Sequence, residues 1–439
     1  MLIRASQIAA VLGVSAGGSL ASDVDPLVSS VGFDSREIQS GSLFVALTAE
    51  RDGHEFISAA AQVGAVACLQ SRPELSDSRL VSIVVPDTAA ALMDLARIMR
   101  QRLSAQVVGL TGSAGKTSTK DLILAAVGAS RPVWGNQRSF NNEQGLPVTI
   151  LNAPDDTEVL VLEMGMRGHG QITQLCEIAA PQVGLVTNVG YAHTERVGGI
   201  EGVAKAKGEL IAALPASGTA ILNADDPRVM AMADRGPASV LTYGDALGAD
   251  VRISRLELDA MARARCAVET PWGRYRLELR VPGAHMAHNA AAAFAVAGVC
   301  GADLDAAVEA VARAEVSAMR MQIGRTLGGA VLVNDAYNAN PTSMAAALEA
   351  LSAMEVKRRV AVIGVMAELD QPESQHREIA QLARDLGIEL WPVGTDLYGL
   401  PPIADPVMAI GTLGEADAVL LKASRVAGLE WIAREVAAP

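Results

Sequence analysis

Aromatic residues make up only 3% of this 439-residue chain, although half of it is hydrophobic. Its cores must therefore be filled by Ala, Val, Leu and Ile, the composition of compact α/β domains rather than of a disordered chain. Cysteine is scarce as well. Cys68, Cys176, Cys266 and Cys300 stand far apart with no C-x-x-C pair, so neither a zinc site nor a disulfide framework is signalled, and a reducing compartment is expected. A basic excess is also missing. With 36 Lys and Arg against 49 Asp and Glu, a formal net charge of −13, the chain is repelled by nucleic acid and by anionic membranes, so neither is an expected partner. No run reaches the ~18 uninterrupted apolar residues of a membrane span, so no membrane insertion is expected. The opening MLIRASQIAAVLGVSAGG has its apolar run broken by Ser6 and Gln7. It reads as a short amphipathic helix ending at Gly13 rather than as a signal peptide, which makes the cytoplasm the expected location.

What is present is an alternation of short apolar runs and Ala-rich helical stretches over a length that suggests about three domains. Residues 1–102 carry SLFVAL, VACL and SIVVP as strands, with FISAAAQVGA and TAAALMDLARIMRQRL as helices, a small α/β domain. Residues 103–320 carry VLVLEMG, VGLVTNV and TAILNAD between helices such as GVAKAKGELIAAL, which predicts a mainly parallel sheet covered on both faces. The stretch from about 240 to 282 reads as β-hairpins, an antiparallel appendage. Residues 321–439 repeat the alternation with AVLVNDAY, RVAVIGVMAEL, ELWPVG and AVLLKAS, predicting a second doubly wound, Rossmann-like sheet.

The densest chemistry lies in VVGLTGSAGKTSTKD, residues 107 to 121. Val107 to Leu110 predicts a strand, Thr111 to Gly115 a turn, and Thr117 onward a helix. Gly112 and Gly115, on either side of Ser113 and Ala114, let the backbone curl so that its N–H groups point inward, and the helix N-terminus adds positive potential. Lys116 would reach the β- and γ-phosphates, the Thr117 hydroxyl would ligate Mg²⁺, and Ser118 follows in the first turn. The general G-x-x-x-x-G-K-[ST] pattern asks for a glycine where Leu110 stands, so the loop fits only the T-G-x-x-G-K-T variant. A loop of this kind signifies a nucleoside triphosphate and leaves the acceptor open; a plain kinase and a non-catalytic nucleotide-binding protein share it.

Glu163 ends the buried run VLVLE, and His193 follows another in NVGYAH, both where ligands sit at the carboxyl ends of parallel strands. Glu163 suits the oxygen preference of Mg²⁺. His193 is a candidate ligand and equally a loop-capping histidine. Lys205 and Lys207 in EGVAKAKGEL would ordinarily be a solvated face paired with Glu201 and Glu209.

TGSAGKT, NNEQGLP, LEMGMRGHGQI, TNVGYAH, GVAKAKGEL and NADDP follow one another in the order, and near the spacing, of the Mur ligase family, which the chain resembles over essentially its whole length. That family comprises ATP-dependent amide ligases of peptidoglycan precursor synthesis. FDSREIQSGSLFVALTAERDGHEFI is similar to its uridine-nucleotide-binding domain. NDAYNANPTSMAAAL, MAEL with a later His376, and LLKASR resemble the C-terminal domain of the member that joins D-alanyl-D-alanine to UDP-N-acetylmuramoyl-tripeptide.

The resemblance implies ATP and two Mg²⁺ ions, with Thr117, Glu163, His193 and Lys207 at the metals and Lys207 carried as a carbamate. It also implies that Lys116 serves catalysis together with His193 and Lys207. Asn142 and Asn289 match adenine contacts, Arg320 a phosphate contact and Asp335 a ribose contact. Tyr337, Asn338 and Asn340 fall near nucleotide and acceptor, and Ser35 and Arg36 near the UDP moiety. Lys422, Ser424 and Arg425 would hold a substrate carboxylate. A monomer acting on small molecules is expected. Departures are SAMR where the family often has Pro-Gly-Arg, Thr194 where an apolar residue is usual, and Val365 in place of a common Asp. Folylpolyglutamate synthases share the central chemistry, but their phosphate loop normally lies near the N-terminus, whereas about a hundred residues precede it here.

Overall fold

Short apolar runs bounded by Gly, Asp and Ser become strands buried on both faces, and amphipathic or Ala-rich runs between them become helices. A computed structural model describes residues 2–17, 25–137 and 140–438. By its internal contacts the chain forms two units. One comprises Met1–Val107, Pro132–Met164 and Thr173–Pro181; the other comprises Val108–Arg131, Gly165–Ile172 and Gln182–Pro439.

In the first unit a sheet runs in the order Ala16–Gly17, Val81–Val84, Ala67–Gln70, Ser42–Val45, Ser30–Gly32. All pairs in it are parallel except the first. Asp87 starts the helix Thr88–Arg100 by accepting from the Ala89 and Ala90 N–H groups, a cap that contributes about 1 kcal/mol. The same unit holds the parallel pair Val133–Gly135 and Val159–Glu163 and the fully buried helix Gly145–Leu151. The expected N-terminal helix spans Ala5–Val11, with Gly13 just beyond it in a left-handed conformation.

The second unit contains two sheets. In one, Val108–Thr111 of the strand Gln106–Thr111, Val183–Val186, Thr219–Asn223 and Ser239–Gly244 are parallel neighbours. Val251–Leu258, Arg263–Thr270 and Gly273–Pro282 extend it as an antiparallel meander. The appendage is therefore shorter than the sequence suggests. Ser239–Gly244 belongs to the parallel part, because Tyr243 and Gly244 pair in parallel with Val251 and Arg252. The intervening turn is closed by Asp225, whose carboxylate accepts from the Asp245 and Ala246 N–H groups.

The other sheet has the order Gln322–Arg325, Val331–Asn334, Asp417–Lys422, Arg358–Ile363, Glu389–Pro392, antiparallel only at its first pair. Alternation decides its packing. Val331, Val333, Ala361, Ile363, Ala418 and Leu420 enter one apolar core, whereas Leu332, Val360, Val362, Val419 and Leu421 enter the other. At roughly 1.5–3 kcal/mol per fully buried large aliphatic side chain, this two-sided burial is what holds the sheet. It also brings the carboxyl ends at Asn334, Ile363 and Lys422 into register at one edge.

Candidate active site

The strand Gln106–Thr111 delivers the loop Gly112–Gly115 to the start of the helix Lys116–Gly128. Gly112 has φ +157, and a Cβ there would lie 1.8 Å from Thr187 Oγ1; at Gly115, with φ +78, a Cβ would lie 2.9 Å from Asn289 Oδ1. Only glycine fits either position, and the result is a tight backbone cradle at a helix N-terminus, suited to an anion. Asn188 takes up two of the loop's N–H groups, its carbonyl accepting from the Ser113 N–H at 3.0 Å and its Oδ1 from the Ala114 N–H at 2.9 Å, so these two are already engaged rather than pointing into the cradle. Lys116 folds over the loop, donating to the Gly112 carbonyl at 2.8 Å.

Residues far along the chain close on this loop. Arg320 donates to Thr117 Oγ1 at 3.3 Å and stacks on the Tyr337 ring at 4.1 Å, with Arg425 at 5.8 Å from the same ring. Asn340 caps the helix Pro341–Ser352 and donates from Nδ2 to the Ser113 carbonyl at 3.1 Å. Arg320, Tyr337 and Asn340 are thus brought to the phosphate loop.

Asp335 and Lys422 meet as a buried pair, Nζ to Oδ2 2.5 Å, with Asp335 also accepting from the Met321 N–H and Lys422 donating to the Asn338 carbonyl. Burial pushes the Lys422 ammonium below the usual lysine range. Ser424 Oγ donates to the Ala339 carbonyl and accepts from the Ala367 N–H. Removing one partner of a buried pair strands the other charge. Asp335→Ala is therefore expected to destabilise the fold by about 3–5 kcal/mol in denaturant unfolding. The double change Asp335→Leu with Lys422→Met should recover most of that loss, and equal losses in the single and double variants would contradict the pairing.

Lys205 and Lys207 separate cleanly. Two residues apart on a helix they face different ways, so Lys205 is exposed while Lys207 is only 3% exposed. The expected partners are elsewhere: Glu201 pairs with Arg228, and Glu209 accepts from the Gly170 N–H. The solvated-face reading holds for Lys205 and fails for Lys207. Burial, reinforced by the charge of Lys116, pushes the Lys207 ammonium well below the lysine range, and no hydrogen bond or ion pair holds its amine among the described residues.

His193 sits in a left-handed conformation, φ 58, after the strand Val183–Val186. Its Nδ1 is enclosed, with Glu368 Oε2 2.5 Å away and no other polar partner among the described residues. Next to it Thr194 donates to Asp370 Oδ1 at 2.8 Å and accepts from the Asp370 N–H, so the departure from an apolar residue is matched by a polar partner.

In the first unit Glu163 is buried, with Asn141 donating to its Oε1 at 2.7 Å and its backbone N–H donating to Asn136 Oδ1. Asn142 Oδ1 accepts from the Gly145 N–H at 2.9 Å, at the start of the helix Gly145–Leu151. A pocket of about 290 Å³ is lined by Ser30, Phe33, Asp34, Trp134 and Phe140 among others. Ser35 and Arg36 flank this wall, and the Arg36 guanidinium forms a two-point pair with Asp34 at 2.9 and 2.6 Å. Asn188, Asn136, Asn141 and Glu368 were not singled out from the sequence, although each lies inside or beside a quoted motif.

Comparison with known proteins places these features. The family described as Mur ligase middle domain matches residues 110–297, and the one described as Mur ligase, glutamate ligase domain matches residues 319–396. A UDP-N-acetylmuramoyl-tripeptide–D-alanyl-D-alanine ligase of Mycobacterium bovis is 38% identical, the match covering 90% of this chain and 83% of that protein. The crystal structure of MurF from Acinetobacter baumannii superposes with a TM-score of 0.83 at 26% identity, covering 99% of this chain and 98% of that one. MurF ligase from Thermotoga maritima in complex with ADP gives 0.80 at 28%, covering 92% and 96%. Identity of that extent, on a backbone whose phosphate loop is closed by the same C-terminal residues the motifs single out, makes the chain a member of the Mur ligase family.

Proposed function

We propose that this ligase joins D-alanyl-D-alanine to UDP-N-acetylmuramoyl-tripeptide at the expense of ATP, in the cytoplasm, giving the UDP-pentapeptide, ADP and phosphate. The observation that carries the reading is the phosphate loop closed by Arg320 and Asn340 beside a buried Lys207. A carboxylate is a poor electrophile, so amide formation in water needs activation. The tripeptide carboxylate oxygen attacks the γ-phosphorus, the bond to the β–γ bridging oxygen breaks, and ADP leaves. The free amine of the dipeptide then attacks the acyl carbon of the acyl phosphate; the C–O bond breaks, and phosphate departs with one oxygen of the former carboxylate.

The residues present fit ATP and Mg²⁺. The glycine cradle would hold the phosphates, with Lys116 and Arg320 set against their charge. Thr117, Glu163, His193 and a carbamate on Lys207 would hold Mg²⁺, which when bound neutralises phosphate charge. No hydrogen bond occupies His193 Nε2 among the described residues, and the Lys207 amine is buried with its ammonium pushed well below the lysine range, which supports this donor set. Asn142 and Asn289 would meet the adenine. Tyr337, with Arg320 and Arg425 near its ring, would line the reacting centre, and Ser424 with Arg425 would receive the dipeptide carboxylate. Lys422 would position Asp335 at the ribose. The first-unit pocket beside Ser35 and Arg36 would take the UDP end. Residues 1–102, 103–320 and 321–439 would divide these tasks as UDP-substrate, ATP and acceptor domains. Closure would exclude water from the acyl phosphate.

Isotope transfer tests the chemistry. With ¹⁸O in the tripeptide's terminal carboxylate, one labelled oxygen should appear in inorganic phosphate during pentapeptide synthesis. Phosphate free of label would overturn the acyl phosphate.

A further inference from the structure

The loop from Gly364 to Asp370 is not used by the chemistry above, yet it is fastened from every side. The Ser424 N–H donates to the Val365 carbonyl at 3.0 Å, and the Ala367 N–H donates to Ser424 Oγ at 2.9 Å. His376, whose Nδ1 donates to the Pro372 carbonyl, accepts from the Met366 N–H at Nε2, 2.9 Å away. Tyr398 donates its hydroxyl to the Gly364 carbonyl at 2.8 Å. The loop is thus one rigid piece with the strand end that carries Lys422 and Ser424.

Its far end reaches the loop that carries His193. Thr194 and Asp370 exchange two hydrogen bonds, and Glu368 Oε2 lies 2.5 Å from His193 Nδ1. Both members of the second contact, His193 at φ 58 and Glu368 at φ 61, occupy the left-handed region that non-glycine residues adopt only when their surroundings impose it. No hydrogen bond occupies His193 Nε2 among the described residues.

We propose that Glu368 is a positioning residue. By facing Nδ1 it turns the His193 ring so that Nε2 is the nitrogen offered to the metal, and it ties that orientation to the docked 364–370 loop. The inference rests on the reading of His193 as a metal ligand. A carboxylate behind a ligating imidazole fixes its tautomer and orientation, and losing one typically costs about 10- to 100-fold in metal affinity or activity. The arrangement joins the acceptor end of the C-terminal sheet to the metal-binding end of the phosphate-loop sheet.

The test uses the full-length protein with ADP, measuring Mn²⁺ binding by loss of the free-ion electron paramagnetic resonance signal. Glu368→Ala should weaken Mn²⁺ binding about 10-fold or more, with Glu368→Gln between it and wild type. Turnover should show the same order in the Mg²⁺ concentration needed, with kcat largely restored at saturating Mg²⁺ and KM for the UDP-tripeptide unchanged. Mn²⁺ affinity equal to wild type in both variants would overturn the proposal. Glu368→Gln keeps the side-chain volume and decides the matter if the alanine variant does not fold. His193→Ala separates the two levels: unchanged Mn²⁺ binding there would overturn the ligand reading itself, whereas weakened binding in His193→Ala with none in the Glu368 variants removes Glu368 alone.

Discussion

Lys116→Ala is expected to abolish ADP formation while leaving binding of the UDP-tripeptide close to that of wild type. The lysine sits at the first position of the helix behind the glycine cradle and folds its amine over the loop onto the Gly112 carbonyl. In a phosphoryl transfer that amine is set against charge spreading over the transferring group, an interaction that strengthens in the transition state. Losing one such preorganised contact costs about 10²–10³-fold in kcat, and a lysine facing the transferring phosphate should lie at or beyond the upper end. Calorimetric titration with the UDP-tripeptide checks the second half, because the pocket beside Ser35 and Arg36 belongs to the other unit and contains no part of the loop. Normal turnover in Lys116→Ala would contradict the assignment.

Lys207→Met is expected to lose about 10²–10³-fold in kcat or more, yet to give a protein that is more stable than wild type near neutral pH. The sign follows from burial. The native Lys207 ammonium lies well below its unfolded value, so between those two values unfolding takes up a proton and ionisation favours the unfolded chain. That penalty is greatest at low pH and fades as pH rises toward the ordinary lysine value of about 10.4. Wild-type stability should therefore climb relative to Lys207→Met as pH rises toward the ordinary lysine value of about 10.4, measured by denaturant unfolding in CO₂-free buffer. A parallel pH dependence in the two proteins would show that Lys207 is charged and paired when folded. Loss of stability without loss of activity would remove it from the metal site.

Much of the architecture was legible because it rests on local patterns. Runs such as VLVLE and RVAVI are buried on both faces, and a parallel sheet is the arrangement that covers both. The phosphate loop was readable because its glycines are dictated by backbone geometry, as the 1.8 Å approach of a Cβ at Gly112 to Thr187 shows. Lys207 was not readable from spacing alone. On a helical wheel it and Lys205 are equally plausible surface residues, and only the packing around the helix Gly199–Lys207 distinguishes them.

Asn188 and Glu368 were hidden for a different reason. Their partners, Ser113 and His193, lie 75 and 175 residues away in the chain (188 − 113 and 368 − 193). Local periodicity carries no information about such pairs. The same holds for Arg320, which reaches Thr117 across 203 residues of chain. Thr194 shows how a departure from a family pattern can be absorbed, since a hydroxyl in an apolar position is acceptable once Asp370 stands opposite it.

The measurement that bears most directly on the function is phosphate release from ATP and Mg²⁺ with UDP-N-acetylmuramoyl-tripeptide, run with and without D-alanyl-D-alanine. Release that requires both substrates, with a UDP-pentapeptide as the product, is the predicted result. Release that ignores the dipeptide would leave the phosphate loop as an ATP site and contradict the acceptor assigned to this ligase.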